Sequence, residues 1–581
     1  MTSSGIVMLS AIGLIALASA VIGFLGVRFT RSTSDFLVAS RTVKPLTNAS
    51  AISGEYLSAA SFLGISGLVI AVGVDALWYP VAFVVGYLAL QLFVAAPLRR
   101  SGAYTVPDFA EARLASPALR RVCAAVVLLI CWLYLLPQLQ GAGFALTALT
   151  TLPSWTGVVA TGVVVLVSVI SGGMRSITFV QAFQFWVKVA AIAIPVAALL
   201  GLLLSAGSQA RPAGPNFPGD TTVTVHTAVT LEITEPVTIS AAGVVDGVPV
   251  NGALSWTPGR HTVQPGANLM FPAGAAVPVP VGTAATEQAW LTPSTSGEHL
   301  LEVYSILVAG FLGTLGLPHV LVRFYTNKDG RAARRTTVIV LFMIGMFYLL
   351  MTMLGALSRT LVPQVLLSGK SDAAVLLVPT AAFGDTALGW ALAGLVAAGT
   401  AAAFLATSSG LVVSLAGVLF TDVLRGPFRD FRLAAVLATA VPMGVALTSN
   451  RLDFALTVPL VFAVTASTFC PLLVLGIWWR GLTPPGAVAG VAAGGFLSGA
   501  SSLVSLYLPL PDDWIGVLAN RPAIWTVPIA FLVTVVVSRM TRSRMPGDVD
   551  ALLLRMHAPE RLGLGAADRL KEQAFADRIS S

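Results

Sequence analysis

The chain has 581 residues, of which 56% are hydrophobic and 10% are charged, and its mean hydropathy is +0.86. Soluble domains carry about 25% charged residues, so this composition excludes a water-soluble globular protein of this size. The net charge of +8 does not indicate a nucleic-acid-binding protein, because the basic residues lie in short loops between apolar runs instead of clustering on one soluble face.

Apolar segments long enough to cross the hydrocarbon core follow one another along the chain. A helix needs about 20 apolar residues to do so. The first run, from Ile6 to Val27, lacks the basic N-terminal region of a signal peptide and is interpreted as a first span. The sequence therefore predicts an all-α membrane protein with about 13 transmembrane helices. They cover residues 6–27, 45–73, 77–98, 120–150, 155–171, 179–206, 300–324, 335–362, 386–420, 431–450, 454–479, 485–508 and 521–540.

The basic residues predict the orientation of these helices. If the N-terminus is outside, most Lys and Arg residues of the loops, among them Arg99, Arg323 and Arg335, fall on the inside. Few fall on the outside, as Arg211 does. This asymmetry follows the positive-inside rule and predicts a cytoplasmic C-terminus in the cell (inner or plasma) membrane.

Two longer polar stretches interrupt or follow the spans. Residues 207–299 are rich in Thr, Val, Pro and Gly and alternate in hydrophobicity at 221–225 and 229–233, which predicts a small β-rich external insertion. The tail, residues 545–581, is amphipathic and too short for a catalytic domain. The chain has no phosphate-binding GxxxxGK(S/T) loop, so a gradient is the expected energy source and no enzymatic activity is predicted.

Apart from residues near the predicted span ends, two ionisable residues lie well inside predicted spans. Lys188 is in the middle of the sixth span and Glu55 is in the second. A charge at membrane depth costs at least about 2.5–3.5 kcal/mol, so such residues usually face a cavity or a partner. Lys188 could pair with Glu55, attract a substrate carboxylate, act as a built-in cation, or simply snorkel. Glu55 could equally be a structural carboxylate near the external end of its helix.

Two spans have sequences that are typical of broken helices. The second span is small and polar over residues 48–61, and the seventh contains several glycines followed by Pro318 and His319. Transporters built from inverted repeats place discontinuous helices at corresponding positions, and these two spans are five apart. Close packing of small residues is the alternative explanation. In the ninth span, Thr407 and Ser408 could offer hydroxyls to a hard cation or bond back to their own helix.

Five motifs in this order resemble the sodium/solute symporter family over nearly the whole chain, and most closely its cation/acetate symporters. They are residues 34–41 (SDFLVASR), 56–66 (YLSAASFLGIS), 104–109 (YTVPDF), 172–181 (GGMRSITFVQ) and 313–324 (GTLGLPHVLVRF). The resemblance implies a LeuT-type 5+5 inverted-repeat core in spans two to eleven. It also implies a sodium site between the second and ninth spans.

The resemblance implies the following roles for individual residues. The sodium ligands would be the carbonyls of Gly54, Leu57 and Ala403 and the hydroxyl of Thr407, with Ser408 or Ser58 replacing a hydroxyl that is Ala406 here. Related carriers of sugars and proline often have an aspartate at Gln181, which favours the monocarboxylate branch. The expected substrate or gating residues are Glu55, Tyr56, Ser58, Ser61, Gln181, Lys188, Thr314 and His319.

These features predict six segments. They are the N-terminal helix and first loop (1–44), a first repeat (45–206), the external insertion (207–299), a second repeat (300–479), two peripheral helices (480–544) and a cytoplasmic tail (545–581).

The expected function is sodium-coupled import of a small monocarboxylate, with acetate preferred, by alternating access. No cofactor is expected besides Na+ as the coupling ion, and the partners are the carboxylate, Na+ and the lipid bilayer. A carrier of pyruvate, propionate or another acid, a proton-coupled carrier in which Lys188 or Glu55 titrates, and a channel or sensor remain alternatives. The oligomeric state stays open.

Overall fold

The computed structural model describes residues 3–26, 43–103, 105–149, 152–206, 217, 219–225, 228–327, 329–361, 363–368, 371–424, 430–448, 454–508, 510 and 513–558. The motif at 34–41, Tyr104, the start of the insertion (207–216) and the tail from residue 559 lie outside the described residues. Twelve helical stretches in the described part are long and apolar enough to cross a membrane. The predicted helical membrane fold is therefore confirmed.

The first half of the chain is helical in its described part up to the insertion. Its α-helices are α1 (Ser3–Gly26), α2 (Pro45–Tyr56), α3 (Ile65–Val72), α4 (Trp78–Ala89), α5 (Ala95–Ser101), α6 (Val106–Leu114), α7 (Pro117–Leu149) and α8 (Ser154–Ala206). π-Helical turns at Ala60–Gly64 and Leu90–Val94 and a 3-10 turn at Gly73–Leu77 connect some of them.

The second and third predicted spans share one apolar run, Ala60–Ser101, which explains why twelve stretches are counted instead of thirteen. The two spans separate at Gly73, where α3 ends. Gly73 has φ +65°, and the carbonyl of Trp290 occupies the space that a Cβ atom would need. Only glycine fits both conditions without strain.

The expected loop between the fifth and sixth spans, around residues 172–178, is helical in the structure. Ser154–Ser171 and Met174–Ser205 remain separate apolar stretches, but α8 continues through both. Two glycines lower helix propensity by only about 1 kcal/mol each and do not remove a hydrogen-bond donor as proline would. The side chains of Ser168 and Thr178 also bond back to carbonyls one turn earlier.

The insertion between the two halves contains the predicted β-structure. Its strands are β1 (Thr221–Thr224), β2 (Val229–Ile233), β3 (Val237–Val245), β4 (Val248–Trp256), β5 (Gly259–Val263), β6 (Asn268–Phe271) and β7 (Val279–Pro280). They form one sheet in the order β1-β6-β3-β5-β2-β7, and β4 pairs with β3. Asp246 and Gly247 both have positive φ in the turn between β3 and β4, as a type I′ hairpin requires. Alternate residues of β2 are buried, which confirms the predicted alternation.

The second half is again helical where it is described. Its α-helices are α9 (Glu287–Leu291), α10 (Gly297–Gly316), α11 (Pro318–Tyr325), α12 (Gly330–Leu361), α13 (Ser371–Phe383), α14 (Ala387–Val418), α15 (Phe431–Thr448), α16 (Phe454–Trp478), α17 (Pro484–Tyr507), α18 (Trp514–Asn520), α19 (Ala523–Met540) and α20 (Val549–His557).

Two long helices form the centre of the bundle. The most apolar window of α14 is 94% buried within the protein, whereas that of α1 is 22% buried and faces outward. α14 packs against α1, α7 and α8, and α16 packs against α10 and α17. α2 packs on both α8 and α14. The two central helices therefore bring the broken spans into contact with the rest of the core.

Candidate functional site

The second predicted span is broken in the middle of the bundle. α2 ends at Tyr56, Leu57 leaves helical geometry (φ −78°, ψ 79°), and helical backbone resumes at Ala60. In a continuous helix the carbonyl of Gly54 would accept a hydrogen bond from the amide of Ser58. That amide instead donates to the carbonyl of Tyr56 at 2.9 Å. The break therefore frees the Gly54 carbonyl for another partner.

The seventh predicted span is also broken. α10 ends at Gly316, Leu317 is extended, and α11 begins at Pro318. Proline disfavours helical geometry in the residue before it but is well suited to the first position of a helix. The first-turn amides of His319 and Val320 have no partner within the helix, as at every helix N-terminus. Both predicted breaks are thus present.

One of the predicted cation ligands on the ninth span lies against the first break. The hydroxyl of Thr407 donates to the carbonyl of Glu55 at 2.8 Å, which joins α14 to α2. Ala403 is fully buried one turn earlier on the same face of α14. The Ser408 hydroxyl is also buried and has no hydrogen-bond partner among the described residues. The structure therefore places Thr407 against the break of α2 and buries Ala403 and Ser408 on the same helix.

Lys188 lies on the same site. Its Nζ donates to the carbonyl of Gly54 at 2.5 Å and to the carbonyl of Leu57 at 2.7 Å, and the side chain has 0% exposure. These are two of the three carbonyls assigned to sodium. Gln181, two turns earlier on α8, donates through Nε2 to the carbonyl of Ala406 at 2.8 Å. Protein donors from α8 therefore occupy carbonyls of both α2 and α14.

Glu55 pairs with Arg323 instead of Lys188. Arg323 Nε lies 2.7 Å from Glu55 Oε2, and the two side chains are 1% and 2% exposed. The same guanidinium donates to Thr178 Oγ1 at 2.9 Å and to Gln181 Oε1. One arginine of α11 thus binds side chains of α2 and α8, and it uses all three of its guanidinium nitrogens to do so.

The prediction that Arg323 belongs to an inside loop is therefore wrong, and so is the inference that Lys188 is the only basic residue in the membrane core. The loop count misplaced Arg323 because α11 is short and follows a break. The sequence did hold the correct signal, because the predicted span 300–324 included this residue. Arg323 also lies four positions after His319, on the same face of α11.

Further polar side chains extend this network along α2. Asn48 Nδ2 donates to Asn327 Oδ1 at 3.2 Å, and Thr326 donates to Asn48 Oδ1 at 3.3 Å. Thr336 of α12 donates to the same Asn327 oxygen at 2.9 Å, and Arg99 donates to the Asn327 carbonyl at 2.7 Å. These bonds fasten this end of α2 to the segments that follow α11.

On the other side of the break lie hydroxyl groups that the sequence predicted in part. Tyr56 and Thr314 place their hydroxyl oxygens 3.0 Å apart, which joins the two broken spans directly. Ser61 and Tyr348 are paired in the same way at 3.1 Å. All four side chains are buried. The predicted residues Tyr56, Ser61 and Thr314 therefore face one polar, aromatic region.

His319 lies at the edge of this region. Its ring centroid is 5.5 Å from that of Tyr134, whose hydroxyl bonds to Ser58. His319 Nδ1, the Tyr87 hydroxyl and both amide atoms of Gln138 are buried without a hydrogen-bond partner among the described residues. Buried polar atoms are almost always paired, so unpaired ones close to helix breaks indicate a place for a polar ligand.

Sequence reasoning missed several of these residues, among them Tyr87, Tyr134, Gln138, Arg323 and Tyr348, and polar partners of Arg323 and Asn48 such as Thr178 and Asn327. The two tyrosines on α4 and α7, Gln138 and Tyr348 lie inside apolar spans whose composition hides them. A tyrosine or glutamine within a span is itself a signal, because its polar group needs a partner in the bundle.

The family model described as the sodium:solute symporter family matches residues 36–238 and 279–494, which is more than half of the chain. The chain belongs to the sodium:solute symporter family. The gap between the two matched ranges falls within the sheet of the insertion.

Two curated proteins are similar to this symporter over nearly their whole length. An uncharacterized symporter, YwcA of Bacillus subtilis, is 29% identical over 533 residues, with 88% of this chain and 90% of that protein covered. A monocarboxylic acid transporter of Corynebacterium glutamicum is 27% identical over 559 residues, with 92% of this chain and 91% of that protein covered. The symporter is thus a multi-pass membrane protein with carriers among its relatives.

Solved structures share the fold of this symporter at low sequence identity. An outward-open Na+-coupled sialic acid symporter superimposes with a TM-score of 0.61 at 11% identity, covering 92% of this chain and 97% of that one. Mhp1, a nucleobase-cation-symport-1 family transporter in a closed conformation, superimposes with a TM-score of 0.51 at 11% identity, covering 90% of this chain and 99% of that one. The LeuT-type fold class that the sequence predicted is therefore confirmed.

Proposed function

We propose that this symporter imports a small monocarboxylate, with acetate as the first candidate, by alternating access. The observation that carries the proposal is the charge of the buried core. Glu55, Lys188 and Arg323 are each at most 1% exposed and lie around the first break. The other fully buried charged residue that the structure describes, Arg113, lies in short helix α6 and donates to the carbonyls of Gly476 and Trp479.

One carboxylate and two basic side chains leave an excess of one positive charge in this core. An uncompensated charge is costly where water is excluded. A bound monoanion would neutralise this excess charge. A neutral solute would leave it unchanged, and a dianion would replace it by an excess of one negative charge. The charge balance therefore favours a monocarboxylate over an amino acid or a sugar.

The N-terminus of α11 is the place that suits the carboxylate. Its free first-turn amides and the positive end of the helix dipole attract anions. His319 Nδ1, which has no described partner, lies on this turn. The ring of Phe83 lies next to that of Tyr56, and its centroid is 4.9 Å from the ring centroid of Phe462. These two phenylalanine rings offer an apolar surface to a short alkyl chain.

The relatives support the same class of solute. The Corynebacterium glutamicum relative is a monocarboxylic acid transporter by name, and it aligns over 91% of its length. Pyruvate, propionate and other short acids carry the same charge as acetate and remain alternatives. In the proposed orientation, the N-terminus is outside and the C-terminus is cytoplasmic.

Two candidates compete for the coupling cation. Sodium is the cation that the family implies, with Gly54, Leu57, Ala403, Thr407 and Ser408 as its ligands. A proton gradient is the second candidate, and one observation favours it: the Lys188 ammonium already lies on the carbonyls of Gly54 and Leu57. In either case the membrane potential contributes about 2.3 kcal/mol per net charge per 100 mV.

Uptake of labelled acetate into proteoliposomes tests the solute. We expect saturable accumulation against a concentration gradient, with competition by propionate and pyruvate but not by acetamide or succinate. The neutral acetamide matches acetate in shape, so its failure to compete would isolate the role of the charge. Downhill equilibration without accumulation would instead indicate a channel, and competition by succinate would contradict the charge argument.

A further inference from the structure

We propose that the Lys188 ammonium takes the place of sodium at the break of α2, so that import does not require sodium at this site. The inference rests on the proposed function only in assuming that the chain is a symporter. It concerns the occupant of the cation site, which neither the family nor the relatives' names define for this chain.

The contacts of Lys188 are those of a bound cation. Its Nζ lies 2.5 Å from the Gly54 oxygen and 2.7 Å from the Leu57 oxygen. The break itself frees the first of these carbonyls, because the Ser58 amide turns to the Tyr56 carbonyl. An ammonium carries three donors and no acceptor, so it uses the same oxygen ligands as a metal cation. Lys188 is tethered to α8 and fully buried, and it therefore satisfies these oxygens without an ion from solution.

Of the three remaining predicted ligands, Thr407 is engaged as well, whereas the buried Ser408 hydroxyl has no hydrogen-bond partner among the described residues. The Thr407 hydroxyl directs its proton to the Glu55 carbonyl at 2.8 Å. On the same helix, the Ala406 carbonyl accepts from Gln181 Nε2 at 2.8 Å. The residues present do not fit a sodium ion at the position that the family implies while Lys188 stays in place.

The surrounding charges also oppose a second cation. Glu55 is the charged residue that interacts electrostatically with Lys188, and its carboxylate is already bound to Arg323. The described parts of α1 and α14, which pack on α8, contain no charged residue. The other ionisable side chains buried on described helices that pack on α8 are Tyr56, Cys123, Cys131, Tyr134 and Tyr348, all neutral in their ordinary state. A sodium ion beside the ammonium would therefore meet repulsion without a carboxylate to compensate it.

A binding measurement tests the inference independently of transport. The melting temperature of the purified symporter is measured in sodium chloride and in choline chloride at equal ionic strength. The variants are Lys188→Ala, which vacates the carbonyls, Lys188→Met, which fills the space with an uncharged chain, and Lys44→Met as an exposed control. We expect the wild type, Lys188→Met and Lys44→Met to melt at the same temperature in both salts. Lys188→Ala should gain a saturable stabilisation by sodium, because a ligand that binds only the folded state raises its stability.

Uptake in the same proteoliposomes separates this inference from the proposed function. We expect wild-type acetate uptake to change by less than about twofold when choline replaces sodium, which is well under the tenfold that 1.4 kcal/mol of lost binding would cause.

Saturable stabilisation of the wild type by sodium, or uptake that stops without sodium, would overturn the inference and leave monocarboxylate symport intact. A folded Lys188→Ala variant without sodium-dependent stabilisation would also overturn it. If Lys188→Ala does not fold, the comparison of wild-type melting temperatures in the two salts tests the inference on its own. Absence of acetate uptake under every gradient would instead refute the proposed function, and the melting experiment would still decide the occupant of the site.

Discussion

Arg323 and Glu55 connect the two broken spans through one buried ion pair. Arg323 Nε is 2.7 Å from Glu55 Oε2, and neither side chain exceeds 2% exposure. The two residues belong to α11 and α2, the half-helices on either side of the breaks. Any movement of one half-helix relative to the other must therefore break this pair or carry it along.

The first prediction concerns this pair. Arg323→Met or Glu55→Gln leaves a buried charge without its partner, which costs about 3–5 kcal/mol. Each single variant should lower the melting temperature and abolish acetate uptake. The double variant should recover part of the stability, because the losses of residues in contact are not additive. Additive losses in this double-mutant cycle would contradict the structural role of the pair.

The matched control is an ion pair of the same chemistry at the surface. Arg480 Nη2 lies 2.6 Å from Asp550 Oδ2, but both side chains are about two-thirds exposed (64% and 65%). Exposed pairs contribute about 0–1 kcal/mol. Arg480→Met should therefore leave melting temperature and uptake close to those of the wild type.

Gly410 of α14 tests the packing around Glu55 without changing a charge. A Cβ atom at Gly410 would overlap the carboxyl carbon and Oε1 of Glu55. Gly410→Ala should thus displace the carboxylate from Arg323 and reduce uptake as strongly as Glu55→Gln does. Gly417→Ala, on the same helix with nothing within 4 Å of its Cβ, should retain full uptake. Equal uptake by the two alanine variants would show that the carboxylate is free to move.

Thr407 tests the contact between α14 and the break of α2. Thr407→Val keeps the side-chain volume but removes the donor to the Glu55 carbonyl, which leaves a buried acceptor unpaired at a cost of about 1–3 kcal/mol. Uptake should fall by roughly tenfold or more, because 1.4 kcal/mol corresponds to a factor of ten. Thr407→Ser should retain uptake.

The control for Thr407 is Thr400, a buried threonine of the same helix whose hydroxyl bonds to the Val396 carbonyl within α14. Thr400→Val should have little effect. If Thr407→Val instead changed only the sodium concentration needed for uptake, Thr407 would be a sodium ligand.

The insertion between the two halves consists of two parts with different expected roles. The sheet, residues 221–280, lies outside the helical core and should be replaceable by a short flexible linker with measurable uptake. Trp290, by contrast, donates through Nε1 to the Val69 carbonyl at 2.6 Å, near the end of α3. Trp290→Ala should lower uptake, whereas Trp514→Ala, at an exposed tryptophan, should not. Loss of all uptake in a correctly inserted sheet-deleted variant would make the sheet part of the transport cycle.

The large features of the fold could be predicted from the sequence because lipid imposes simple rules. Span length and loop charge indicate the helices, and Pro318 and the polar run of residues 48–61 indicate the breaks. The alternation at 229–233 indicates a strand whose alternate residues are buried. Local sequence carries each of these signals.

Partners across the bundle could not be predicted in the same way. The sequence indicates that Lys188 lies in the middle of a span, but its contacts with two carbonyls depend on how the break of α2 turns the backbone. The pairing of Glu55 with Arg323 joins residues 268 positions apart. A single sequence contains no record of which helices meet, so the choice between Lys188 and Arg323 as partner required the structure.

Acetate accumulation in proteoliposomes with separately imposed sodium and proton gradients tests the central claim most directly. The account predicts that labelled acetate accumulates above its external concentration, that an inward proton gradient drives it without sodium, and that Lys188→Met abolishes it while Lys44→Met does not. A wild-type protein, correctly inserted, that fails to accumulate acetate, propionate or pyruvate under any combination of gradients would contradict the account.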